Sequence, residues 1–230
     1  MDSGRSTPIA VQTRQLARRF GSRWALAGID LEIPAGSACM LTGANGSGKT
    51  TLLRCIATAL SAHHGELRIF GIDPTSAPHE ARQHISLISH ATRLYEDLGP
   101  RDNLRTWASL AGVVVEVDKL LDDVGLPAVA ENPVRTFSAG MRRRLAFAVG
   151  LLLPRPLLLL DEPFSALDPQ GRTLIKGRLD RAKAAGSTLV IATHLPKVAA
   201  SLCDHAIHLE NGRVVWRGSP ADSPAVEPEE

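Results

Sequence analysis

GANGSGKT, residues Gly43 to Thr50, is the stretch on whose reading the fold turns. It matches GxxxxGK[ST] in full, with glycines at the start and within the loop, then Lys49 and Thr50. Glycines let backbone N–H groups close around phosphate oxygens. A lysine there reaches the β- and γ-phosphates, and the hydroxyl after it suits Mg²⁺. The apolar run Ala38-Cys39-Met40-Leu41 leads into the loop, and the helical stretch TLLRCIATAL leads out of it from Thr51. Strand, glycine loop and helix in that order predict a P-loop in an α/β fold rather than a chance Gly-rich turn. Its candidate nucleotide contacts are Gly43, Asn45, Gly46, Ser47, Gly48, Lys49, Thr50 and Thr51.

Two further apolar runs, Leu157–Leu160 and Leu189–Ala192, have the same unbroken character as Ala38–Leu41. Such runs fit strands of a parallel sheet covered on both faces by helices. Each ends abruptly in polar residues: Thr42-Gly43, Asp161-Glu162 and Thr193-His194. Open parallel sheets bind ligands beyond the carboxyl ends of their strands, so the three endings are expected to converge. Adjacent carboxylates at a strand end are either a helix N-terminal charge pair or a working pair. Beside a P-loop the second reading gives Asp161 to Mg²⁺ and makes Glu162 the base that orients the attacking water. His194, alone a structural histidine, becomes a candidate γ-phosphate contact by its position.

Elsewhere, Ile29, Leu31 and Ile33 alternate with polar residues as in a half-buried strand. From about residue 91 to 153 the spacing is helical; Leu145, Ala148, Val149 and Leu152 lie on one helix face. Asn211-Gly212 marks a hairpin. Residues 1–7 and 219–230 are polar, contain proline beyond Ser219, and read as mobile ends. The run Arg142-Arg143-Arg144 reads as a solvated helix face.

Composition narrows the function. A net charge of +2 does not suggest a nucleic-acid partner. Cys39, Cys55 and Cys203 lack any CxxC spacing and read as reduced core thiols, and His205 and His208 would face opposite ways in a strand. The most apolar run, Leu145–Leu160, is broken by Pro154 and Pro156, short of the roughly 20 residues a span requires. Nor does the N-terminus read as a signal peptide. Any membrane role is expected to come through a partner.

FSAGM, from Phe137, is a second Ser-Gly turn before a helix and thus a second anion-binding signal. GANGSGKTT, FSAGM, LLLLDEP, SALD and TH then occur in the order found in ATP-binding cassette (ABC) ATPases, the nucleotide-binding subunits of ABC transporters. The chain resembles that family from about Leu16 to Gly218. The resemblance implies a P-loop core with an antiparallel β-subdomain and an inserted helical subdomain, together one ABC domain over residues 8–218. It implies ATP and Mg²⁺ as ligands, an integral-membrane transporter subunit as partner, and a place on the cytoplasmic face of the cell membrane. Two copies would pack head to tail around two ATP molecules, a homodimer in the simplest case. By the same resemblance Phe20 would stack on adenine, unless it is a buried core aromatic, and Ser138 and Gly140 would cap the γ-phosphate held by the opposite copy. Asp168 would link the two sites, and His194 would be the switch histidine.

Two positions depart from the family pattern. The usual LSGGQ reads FSAGM, placing Ala139 and Met141 where Gly and Gln are usual. In ISLISHATRLYEDL, His90 stands where a Gln usually touches Mg²⁺ and the attacking water and couples the site to the membrane partner. A neutral imidazole could do similar work, whereas protonation removes its metal-binding lone pair. Both departures, with DEPFSALD and the short chain, resemble the ATP-binding subunit of the haem exporter of cytochrome c maturation. Other small export ATPases, for drugs or polysaccharides, share parts of the pattern. A soluble ATP-gated clamp would carry long coiled-coil insertions or two cassettes, and a silent cassette would lack the base that Glu162 supplies.

Overall fold

The computed structural model describes residues 7–89, 92–153 and 155–226. The chain opens with β1 (Ile9–Phe20), β2 (Arg23–Pro34) and β3 (Ala38–Thr42), followed by α1 (Lys49–Ile56) and β4 (His64–Ile69). Then come α2 (Pro78–Gln83), β5 (Ile85–Ile88), α3 (Pro100–Ala111), α4 (Val117–Asp123) and α5 (Ala139–Gly150). The last part alternates β6 (Leu157–Asp161), α6 (Pro169–Ala184), β7 (Thr188–Ala192) and α7 (Pro196–Ala200), and closes with β8 (His205–Glu210) and β9 (Arg213–Gly218).

Two sheets form. One is antiparallel, in the order β2-β1-β4. The other has the order β5-β6-β7-β3-β8-β9, parallel throughout except for the β8–β9 hairpin at Asn211-Gly212. The three apolar runs are its β3, β6 and β7, buried at every residue. Alternate side chains of a strand point to opposite faces, so each run feeds two cores. Met40, Leu158, Leu160, Leu189 and Ile191 pack with Phe147, Phe164 and the helices of the 100–150 region. Cys39, Leu41, Leu157, Leu159, Val190 and Ala192 pack with α1 and with Val11, Leu16, Leu26 and Ile29 of the antiparallel sheet. Each such Leu contributes about 1.5–3 kcal/mol by leaving water.

The helical region carries α3, α4, α5 and two short 3₁₀ turns, with no strand among its described residues from 92 to 153. β1, β4 and β5 have no forecast counterpart, and β2 is longer than the Ile29–Ile33 alternation. β1 shifts register repeatedly against β2 and once against β4, which breaks the period-two pattern that would have advertised it.

Two expectations need correction. Within the tail read as mobile, residues 219–226 pack against the fold. Pro220 and Ser223 are buried, and Ser223 Oγ lies 3.2 Å from Thr42 Oγ1, which in turn lies 2.9 Å from His208 Nδ1. The hydroxyl pair draws residues 219–226 against the end of β3, while residues 1–6 and 227–230 lie outside the described part. The arginine run is not a solvated face either. Arg142 donates to Val134 O and Arg135 O, Arg144 to Val124 O and Gly125 O, and Arg143 is buried. Three consecutive helical residues span about 200° of the helix, and the carbonyls of the neighbouring turns supply acceptors on that side.

Candidate functional site

The glycine loop between β3 and α1 is shaped by contacts that exclude side chains. At Gly43, φ is +136° and a Cβ would lie 2.2 Å from Leu209 O; at Gly48, φ is +113° and a Cβ would lie 2.6 Å from Ala25 O. Only glycine accommodates both restraints. The hairpin turn supports the loop from below, with Gly212 N donating to Ser47 O at 2.9 Å. Lys49 folds across the loop and donates from Nζ to Gly43 O at 2.7 Å and Ala44 O at 3.1 Å. Burial lowers the Lys49 pKa, and the nearby Glu162 and Asp161 carboxylates act to raise it. Ser47 Oγ is buried without a hydrogen-bond partner among the described residues. A loop that gathers an ammonium group, backbone N–H groups and an unmatched hydroxyl fits a polyphosphate.

β6 delivers the carboxylates to the same place. Thr50 Oγ1 donates to Asp161 Oδ1 at 3.0 Å. One hydroxyl and one carboxylate form a hard-oxygen pair suited to Mg²⁺, which takes few protein ligands and completes its shell with water and phosphate. No group of three or more His, Cys, Asp or Glu that could hold a metal occurs among the described residues. Glu162 adopts φ +55°, a conformation rare for a residue with a side chain. Its N–H donates to Ala192 O of β7 at 2.8 Å. Its Oε2 accepts from His194 N at 3.1 Å and lies 2.7 Å from His194 Nδ1. The strand ends therefore meet as the sequence predicted: Lys49 and Thr50 after β3, Asp161 and Glu162 at β6, His194 after β7.

The remaining candidates sit apart in role. Phe20 ends β1, is 50% exposed, and has the Arg18 guanidinium 5.0 Å from its ring centre, so it is not the buried core aromatic weighed as its alternative. Ser138 caps α5 and accepts from Met141 N at 3.2 Å, a contact of the kind that stabilises a helix by about 1 kcal/mol. Ser138 and Ala139 are exposed. Gly140 packs so close to the loop after Glu162 that a Cβ would lie 2.9 Å from Ala166 O. Asp168 caps α6 by accepting from Gly171 N at 2.9 Å. His90 lies outside the described residues. Cys39, Cys55 and Cys203 are poor nucleophiles, because burial pushes all three thiols up, Cys55 to about 11 and Cys203 to about 12.

A family model described as ABC transporter matches residues 26–165, from within β2 through the P-loop and the helical region to just past Glu162. The chain belongs to the ABC transporter family. This ABC protein carries the ABC-type ATPase fold, a P-loop nucleotide-binding domain with mixed α/β sheets, and is an ATP hydrolase of that type. It is 35% identical over 216 residues to the Nod factor export ATP-binding protein I of Cupriavidus metallidurans, covering 91% of this chain and 71% of that one. It is 33% identical over 218 residues to the daunorubicin/doxorubicin resistance ATP-binding protein DrrA of Streptomyces peucetius, covering 93% of this chain and 66% of that one. The chain thus spans about two thirds of the length of these relatives. A solved ATP-binding subunit of an ABC transporter superposes with a TM-score of 0.82 at 27% identity, over 93% of this chain and 91% of that one. A dimeric ATP-binding cassette in a post-hydrolysis state, bound to ADP and Pi, shares the fold with a TM-score of 0.81 at 24% identity, over 91% and 98% of the two chains.

Sequence reading missed Arg143 altogether. Its guanidinium reaches the carbonyls of Ser89, Asp161 and Glu162, and the only signal available was its place inside a charged run that looked solvated.

Proposed function

We propose that this ABC ATPase powers an exporter by binding and hydrolysing ATP between two copies of itself while docked on an integral-membrane subunit. The observation that carries the reading is the convergence of Lys49, Thr50, Asp161, Glu162 and His194 at the ends of neighbouring parallel strands. Lys49 and the loop N–H groups hold the β- and γ-phosphates, and Phe20 offers a face to the adenine. Thr50 and Asp161 would hold Mg²⁺, which would neutralise charge on the phosphate oxygens. Glu162 takes the proton of the attacking water. His194, with Nδ1 engaged by Glu162, presents Nε2 to the γ-phosphate. Ser138 and Gly140, on an exposed helix start, complete the site of the opposite copy, and Asp168 lies near that interface. The resemblance gives His90 the role of the usual Gln.

For the cargo, similarity of about a third over nine tenths of the chain supports an exporter of the drug or Nod-factor kind. The haem-exporter reading draws its support from the departures at Ala139, Met141 and His90, with DEPFSALD and the short chain, and it is the narrower alternative. For the membrane subunit, we assign a groove of about 810 Å³ between β5 and the helical region. Its floor includes Ile85, Leu87 and Trp107, and Arg54, Arg82, Arg93 and Arg155 line it. This combination suits an amphipathic segment that carries carboxylates. Among the described residues no helix is long and apolar enough to cross a membrane, so attachment through such a segment is what the reading requires.

The test is recruitment. Expressed with the membrane protein encoded beside it, the wild-type chain should co-purify in detergent with its partner, and Arg54→Glu/Arg93→Glu should lose at least about 10-fold of that yield while still hydrolysing ATP. Equal recovery of both would remove the groove assignment. Failure of the wild type to co-purify would remove the transport reading.

A further inference from the structure

Arg143 is 4% exposed, within the second turn of α5. A cation at that depth must match its donors with acceptors, since a bare buried charge is strongly unfavourable. Its Nη1 donates to Ser89 O at 2.7 Å. Its Nη2 donates to Asp161 O at 2.5 Å and to Glu162 O at 2.6 Å. Burial lowers the guanidinium pKa, and the Asp161 and Glu162 carboxylates act to raise it.

These acceptors are not scattered. Asp161 O and Glu162 O lie on either side of the Glu162 Cα, so one nitrogen bound to both restrains the backbone torsions of that residue, alongside the Glu162 N–H bond to Ala192 O. Glu162 needs such support, because φ +55° is unfavourable for it and persists only where the surroundings hold it. Ser165 adds two more donors to Glu162 O, its Oγ at 2.9 Å and its N–H at 3.2 Å. The other arm of the fork ends on Ser89, the residue before His90. Arg143 also shares a helix with Ser138 and Gly140, about 7.5 Å and about 4.5 Å away along its axis at 1.5 Å per residue.

We propose that Arg143 is a positioning residue that locks Glu162 in its left-handed conformation and ties that conformation to the helix whose start contacts the opposite nucleotide. Seating of Ser138 on the partner's γ-phosphate and alignment of this copy's own base are then mechanically linked. The inference rests on the reading of Glu162 as the base.

The test compares kcat and equilibrium ATP affinity for the wild type, Arg143→Lys, Arg143→Gln and Glu162→Gln. Loss of the fork in Arg143→Gln should lower kcat by about 100-fold, the scale of a misplacement of about 1 Å, with Kd for ATP unchanged within about three-fold. Arg143→Lys keeps the charge and one donor group, and should regain about a tenth of wild-type kcat with the same Kd. Wild-type kcat in both Arg143 variants, or a Kd that rises in step with the fall in kcat, overturns the proposal. If Arg143→Gln does not fold, Arg143→Lys decides by the same criterion: a roughly 10-fold lower kcat at constant Kd supports it, and an unchanged kcat overturns it. Full turnover by Glu162→Gln would remove the base reading and this inference with it. Loss in Glu162→Gln beside unchanged Arg143 variants would remove this inference alone.

Discussion

Glu162→Gln should lower kcat for ATP by about 10³-fold, within the range a positioned general base supplies, and leave ATP binding within a few-fold of wild type. The amide keeps the shape of the side chain and can still accept from His194 N, which now donates to Oε2 at 3.1 Å. It cannot take a proton from water. Lys49, Thr50 and Asp161, to which the proposal assigns the nucleotide and metal, are untouched by the change. A 10³-fold effect corresponds to about 4 kcal/mol of transition-state stabilisation. Phosphate release measured beside equilibrium nucleotide binding separates the two quantities. A loss below 10-fold, or a parallel loss of binding, would mean that Glu162 is a structural carboxylate.

Gly43→Ala should abolish high-affinity ATP binding, with Kd raised by at least about 100-fold, or roughly 2.7 kcal/mol. The added Cβ would stand 2.2 Å from Leu209 O and 2.7 Å from Ser47 Oγ at a φ of +136°. Backbone strain of this kind costs about 1–3 kcal/mol, and the clash with a β8 carbonyl adds to it. The loop must therefore shift off the hairpin that supports it. Thermal unfolding should fall by about 2–4 °C for each kcal/mol lost. Gly46→Ala is the internal control: φ is +80° there, but the nearest atom is Arg23 Nη2 at 3.7 Å, so strain acts without a clash and binding should suffer less. Equal affinities for the two variants would contradict the proposed support of the P-loop by β8 and its hairpin.

Much of this site could be read before the fold was seen, for a physical reason. β3, β6 and β7 are buried on both faces, so their sequences are unbroken apolar runs, and the polar residue that ends each run marks the ligand-binding edge of the sheet. Gly43 and Gly48 were legible because no other residue tolerates those torsions. The antiparallel sheet was less visible: β1 carries Arg14, Arg18 and Arg19 and shifts register against both neighbours, so no period-two pattern survives. Ser223 and Arg143 were invisible for a different reason. A serine in a polar tail and an arginine in a basic run have ordinary solvated readings, and only tertiary contacts to Thr42 Oγ1 and to the carbonyls of Ser89, Asp161 and Glu162 give them roles. The haem-type narrowing rested on Ala139, Met141, His90, DEPFSALD and the short chain, and the wider similarity to drug and Nod-factor export proteins bears on far more of the chain.

The FSAGM turn is a capped, exposed helix start, proposed to hold an anion, in a chain that already has a phosphate loop. If that turn is half of a site completed by another copy, nucleotide must bring two chains together. The direct measurement is the mass of the Glu162→Gln protein in solution, by light scattering or sedimentation, with and without Mg²⁺-ATP. The account predicts a monomer without nucleotide, a dimer with ATP, and a return to monomer when Ser138→Arg is added to the same chain. A protein that stays monomeric at saturating ATP, or that dimerises equally well with Ser138→Arg, would contradict it.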